Sequence, residues 1–177
     1  MYFHHKRVTV LISGQKPVYH GNIQTRNGGI PMLLTPMTRK AMTIAYAAHH
    51  GHTDRYGVPY IFHTARVAEG FTNEAKACVA WLQDVAEDGQ ITIDDIRLAG
   101  FGGYICDALA LLCRDENVPY PDWLAAIAAH PIARAVKLAD LRDEMDISRL
   151  SELEEADRQR LAENARACRL LTGEAIA

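Results

Sequence analysis

The chain has 177 residues, 49% hydrophobic and 23% charged, a composition that suits one buried core and excludes a second full domain. Its formal net charge of -3 is unevenly spread: residues 1–53 hold six of the 19 Lys and Arg and no acid, while the rest holds the other 13 and all 22 Asp and Glu, a charge of -9. An acidic body argues against nucleic acid as the main partner, and no apolar run approaches the roughly 20 residues of a membrane span.

Residues 1–34 differ in texture from the remainder of the chain, with Gly14, Gly21, Gly28, Gly29, two prolines and one strand-like run, Val8 to Ile12. This arm admits three readings: a strand or flexible extension, a basic acid-free targeting peptide, or upstream codons preceding Met32 or Met37. Glycine and proline would interrupt the amphipathic helix a targeting peptide needs, which makes the second the weakest.

From residue 35 to 177 the pattern is that of one helical domain. Thr35 caps and Pro36 opens a helix to about His50, with Ala41, Ile44, Ala45 and Ala48 as its apolar stripe and Gly51 as its stop. A loop from His52 to Tyr60 leads into a helix over Ile61 to Phe71, and a third starts at Asn73 with Ala75, Cys78, Val79, Leu82 and Ala86 on one side. Thr92 and Asp95 form a capping box for a short helix, Ile93 to Ala99. Tyr104 to Cys113 is almost wholly apolar and is expected to be the buried central helix. Pro121 and Pro131 open helices over Asp122 to Ala129 and Ile132 to Leu141; the last helix buries Leu161, Ala165, Cys168 and Leu171 and turns Glu154, Glu155, Arg158 and Arg160 to water. No strand alternation of comparable strength occurs after residue 35, so the expected class is all-α, a bundle with short connections. Cys78, Cys106, Cys113 and Cys168 contain no C-x-x-C pair; they read as small buried hydrophobes in a reducing cytoplasm and argue against a cysteine zinc site.

Chemistry concentrates in a few acids. Asp84, Glu87 and Asp88 occupy i, i+3 and i+4, so a helix projects them from one face a turn apart, where they repel unless water or a cation holds them. Val79, Leu82, Val85 and Ala86 set them at the edge of the core, and Asp140 likewise comes after Val136, Lys137, Leu138 and Ala139. A carboxylate there requires a partner. Taken singly, His63 reads as a hydrogen-bonded structural histidine and Glu87-Asp88-Gly89 as a helix end.

Taken together, AYAAHHGHTDRYGVPYIFHTARVA (45–68), AWLQDVAEDGQITIDDIRLAGFG (80–102) and PIARAVKLADLRDEMDISRL (131–150) resemble the HD-domain hydrolases of guanosine tetraphosphate and pentaphosphate, the hydrolase half of RelA/SpoT proteins and their small stand-alone relatives. The resemblance covers most of residues 37–150 and implies an HD-type helical bundle that removes pyrophosphate from a nucleotide with a divalent ion, usually Mn(II). It implies metal ligands at His63, Gln83, Asp84 and Asp140, water-handling acids at Glu87 and Asp88, a substrate phosphate or base contact at Arg55, and a small-molecule nucleotide as partner. His49, His50 and His52 then contain a structural histidine at a helix end rather than a separate metal site.

Three departures bear on activity. Gln83 stands where the family has histidine, replacing an imidazole nitrogen by a weaker neutral oxygen and biasing the site toward harder ions. Glu144 stands where the family often has asparagine; it would repel a phosphate or else join the metal site, one turn from Asp140. Of the basic pair usual before Gly57, Arg55 alone remains, beside Asp54. The competing expectation is a degenerate HD domain that binds a nucleotide or protein without turnover.

Overall fold

The computed structural model describes residues 32–88, 91–150 and 152–174. Among them the chain is all-α: α1 (Pro36–Ala48), α2 (Ile61–Glu69), α3 (Glu74–Glu87), α4 (Ile93–Leu98), α5 (Gly103–Leu112), α6 (Tyr120–Ala129), α7 (Pro131–Glu144) and α8 (Glu155–Thr172), with a 3-10 turn at Ile147–Arg149. None of these helices is long and apolar enough to cross a membrane. The arm expected over residues 1–34 lies outside the described residues except for its last three.

Local chemistry sets the helix starts. Thr35 and Thr38 exchange bonds in a capping box ahead of Pro36, Asn73 accepts from the Lys76 amide, and Thr92 and Asp95 form the box foreseen for α4. On α7, Nδ1 of His130 accepts from the Ala133 amide and Pro131 takes the first turn, where a missing N–H costs nothing.

The central helix is α3, not α5. Ten of the 14 residues of α3 are buried, and it packs against α1, α2, α5 and α7. Leu82 and Val85 have no exposed surface; burying each contributes about 1.5–3 kcal/mol. By contrast α5 turns Tyr104, Asp107 and Ala110 to solvent and buries the side that carries Ile105, Cys106, Ala108, Leu109 and Leu112. An apolar run is no proof of burial on all sides: small Ala110 and amphipathic Tyr104 are tolerated in water. In α8 the inward face is rotated from the expected one. Asp157, Asn164, Ala167 and Leu171 are buried, with Leu161, Ala165 and Cys168 only partly covered. All four cysteines are free thiols.

The loop between α1 and α2 is closed on itself by Asp54. Its Oδ1 accepts from the amides of Tyr56 and Val58, both at 2.9 Å, and its own N–H donates to the Val58 carbonyl at 2.8 Å. Gly57, at φ +77°, supplies the left-handed residue this tight return needs. The turn thereby holds Arg55 at its tip and delivers the chain to α2 with His63 in the first turn.

Candidate metal centre

Three helices meet where α3 packs on both α2 and α7, and each contributes one group: His63 from α2, Asp84 from α3 and Asp140 from α7. Their potential ligand atoms all lie within 4.8 Å of one another, close enough to hold a metal ion. His63 Nε2 is 3.1 Å from Asp140 Oδ1 and 3.8 Å from Asp84 Oδ2. The second Asp140 oxygen accepts from Lys137 Nζ at 2.9 Å.

The donor chemistry fits a divalent ion. One imidazole and two carboxylates form a mixed N/O set suited to first-row divalent metals, and Asp84 Oδ2 is buried with no hydrogen-bond partner. A buried carboxylate oxygen without a donor is costly, and a cation is one of the few remedies. Burial, reinforced by the Asp140 charge, pushes the Asp84 carboxyl up to about 7. Burial alone would lower His63, but its hydrogen bonds to Asp140 and Asp143 raise the imidazole to about 10. Burial would raise Asp140, yet the bonds from His63 and Lys137 hold it below the usual carboxylate value. Metal entry therefore requires loss of the His63 proton and of any Asp84 proton, so affinity should increase with pH.

Around this trio lies a second ring of contacts. His63 Nδ1 is 2.7 Å from Asp143 Oδ2, and Arg66 grips Asp143 with Nε at 2.6 Å and a terminal nitrogen at 3.0 Å. Tyr60 packs between His63 and His49, with ring centroids 5.4 and 4.9 Å away and the rings tilted by 57° and 53°. His49 is buried, and neither ring nitrogen has a hydrogen-bond partner; desolvation lowers its pKa and favours the neutral ring.

His63 also faces a cavity of about 420 Å³ whose lining includes Arg55, Tyr56, Tyr60, Glu144 and Arg160. Arg55 reaches it from the loop tip with its guanidinium over the Tyr56 ring, 4.6 Å from the centroid, and pairs with Asp157 of α8 at 3.0 Å. Glu144 stands at the cavity wall and accepts from Asn164 Nδ2 at 2.8 Å; it is not among the clustered ligand atoms. Gln83 is 2% exposed next to Asp84 on α3, and its amide nitrogen has no partner. Glu87 and Asp88 sit exposed at the C-terminal end of α3, Asp88 as its cap. Desolvation raises the Glu87 pKa, Lys137 opposes it, and Asp140 adds to it, which places Glu87 within electrostatic reach of the trio. His49, His50 and His52 form no metal-holding group among the described residues.

Asp143, Arg66, Lys137, Asp157 and Asn164 were not among the expected site residues, and Arg160, expected to face water, is instead half-buried and lines the cavity. A spacing signal existed for the first two: Asp143 is i+3 from Asp140 and Arg66 is i+3 from His63, one turn along faces already marked. The α8 residues gave no such signal, because polar groups on an amphipathic helix read as its wet side. No protein-family model and no curated protein matches this chain. What fold and site define is thus an all-α bundle with a buried His/Asp/Asp cluster able to bind a metal.

Proposed function

We propose that the protein is a metal-dependent phosphohydrolase of HD type, removing pyrophosphate from guanosine tetraphosphate or a related nucleotide. The observation that carries this reading is the convergence of His63, Asp84 and Asp140 from three helices, with His63 also facing a cavity large enough for a small ligand and lined by arginine and tyrosine. Those three side chains would hold the ion, Mn(II) in the form the resemblance favours, with Gln83 adding a weak oxygen or only a hydrogen bond. Such an ion lowers the pKa of water and offsets phosphate charge.

The chain's own groups supply the rest. Glu87 and Asp88 orient the attacking water and accept its proton, and the raised pKa of Glu87 brings it nearer the range useful for proton transfer. Tyr56 and Tyr60 offer ring faces to a base, and Arg55, fixed by Asp157 and its own turn, meets a phosphate or the base. Glu144, engaged by Asn164, leaves the wall acidic where the family often has an amide, so it favours a hydroxyl or amino group over phosphate there. The partner is a small nucleotide, with neither nucleic acid nor membrane involved, and the setting is cytoplasmic.

A second reading, a degenerate HD domain that binds a nucleotide or a protein without turnover, is favoured by two observations. Gln83 removes an imidazole donor, and Lys137 already neutralises Asp140 from 2.9 Å. Pyrophosphate release from guanosine tetraphosphate with added Mn(II) separates the two. Hydrolysis that falls by about 10²–10⁴-fold in Glu87→Gln/Asp88→Asn, the usual scale for a general base, is the expected result. Tight nucleotide binding with no release in either protein would establish the second reading.

A further inference from the structure

Resting on the metal reading above, we propose that Asp143, held by Arg66, is the positioning residue that presents His63 to the ion, and that this pair offsets part of what is lost at Gln83. Imidazole has two distinct nitrogens, and which one binds a metal is decided by what the other does. Here Nδ1 lies 2.7 Å from Asp143 Oδ2, while Nε2 faces the Asp84 and Asp140 carboxylates. With Asp143 accepting, Nδ1 keeps its hydrogen and Nε2 remains the donor to a metal.

Arg66 makes the arrangement directional. Its two bonds to Asp143, at 2.6 and 3.0 Å, fix the carboxylate plane as a flexible lysine could not. Arg66 and His63 share a face of α2, and Asp143 and Asp140 share a face of α7. One pair of helices therefore supplies two ligands and, one turn along, the Arg66–Asp143 clamp that orients one of them, His63, while Lys137 holds Asp140. A surface ion pair would not need this register: the Asp143 and His63 side chains are about one-tenth exposed. A site with a single imidazole depends more on the orientation and basicity of that ring than a site with two, since no second nitrogen can compensate.

The test is Mn(II) titration of the chelator-stripped full chain, monitored by electron paramagnetic resonance, with Co(II) absorption as a reporter of coordination. Asp143→Asn, whose amide can rotate to offer a donor instead of an acceptor, should weaken Mn(II) binding by about 10–100-fold and alter the Co(II) band shape. Arg66→Gln, with Asp143 present but unclamped, should weaken it less and shift the band in the same sense; it also serves if Asp143→Asn does not fold. A purely structural role would lower the melting temperature of the metal-free variants and leave affinity and band shape at wild-type values, and that result overturns the proposal while the metal centre stands. A wild-type protein that binds neither ion overturns the metal reading itself, and this inference with it.

Discussion

Replacing Asp84 by asparagine should abolish metal binding and, in the metal-free protein, raise stability. The carboxylate is buried, one oxygen has no donor, and its pKa is raised from 3.8 to about 7 by burial and by Asp140 even after the opposing pull of His63 and Lys137. A carboxyl whose pKa is higher in the folded than in the unfolded state holds its proton more tightly when folded. Its favourable contribution is therefore complete below the unfolded value near 3.8 and disappears as pH rises through about 7, leaving a buried charge that costs stability above that. At pH 8 the uncharged asparagine escapes this cost, on the order of 2 kcal/mol once relaxation is allowed for, equivalent to roughly 5 °C in melting temperature. At pH 4 the two proteins should melt within about 2 °C of each other, because Asp84 is then protonated. Saturating Mn(II) reverses the ranking at pH 8: at 100 times the dissociation constant it adds about 2.7 kcal/mol to the wild type alone. Thermal denaturation with chelator and with Mn(II), at both pH values, checks each part. A metal-free Asp84→Asn protein that melts below wild type at pH 8 would mean that Asp84 already has a partner that stabilises its charge.

Gln83→His should raise affinity for transition metals more than any other single change. Gln83 is 2% exposed, adjacent in sequence to Asp84, and its amide nitrogen is unpartnered. An imidazole of similar size would bring a better donor for Mn, Co and Zn and would remove an unsatisfied N–H₂ group. The gain should match or exceed the roughly 10–100-fold that an outer ligand contact is worth, and it should be larger for Co(II) and Zn(II) than for Mg(II). Competition titrations with a chromophoric chelator measure this directly. An unchanged affinity for all four ions would place residue 83 outside the ligand set and remove the reason for regarding glutamine as a loss.

The helices were legible because their ends carry local signals that tertiary contacts do not override. Thr35-Pro36, Asn73 and the Thr92/Asp95 box all appear where capping chemistry puts them. Helix α7 runs to Glu144 rather than stopping at Leu141, as nothing between them breaks a helix. That added turn is what carries Asp143 and Glu144 to the cavity. The rank of α3 and α5 was not legible, since hydropathy reports what can be buried, whereas α3 gains its place from packing against four helices at once.

At the site, the meeting of His63, Asp84 and Asp140 was foreseen through the order of the motifs rather than through periodicity, which cannot bring residues 63 and 140 together. The Arg66–Asp143 clamp and the α8 contributions were missed for a related reason. Charged residues at i+3 spacing usually describe a solvated surface, and only the packing of α7 against α2 and α8 brings them together into a partly buried wall.

Anomalous diffraction from crystals grown at pH 8 with Mn(II) decides whether His63, Asp84 and Asp140 form a metal centre. A single strong peak is expected, bounded by His63 Nε2, Asp84 and Asp140 Oδ1, with Lys137 on the other Asp140 oxygen. A protein saturated with Mn(II) that shows no peak between these three side chains would overturn the metal centre.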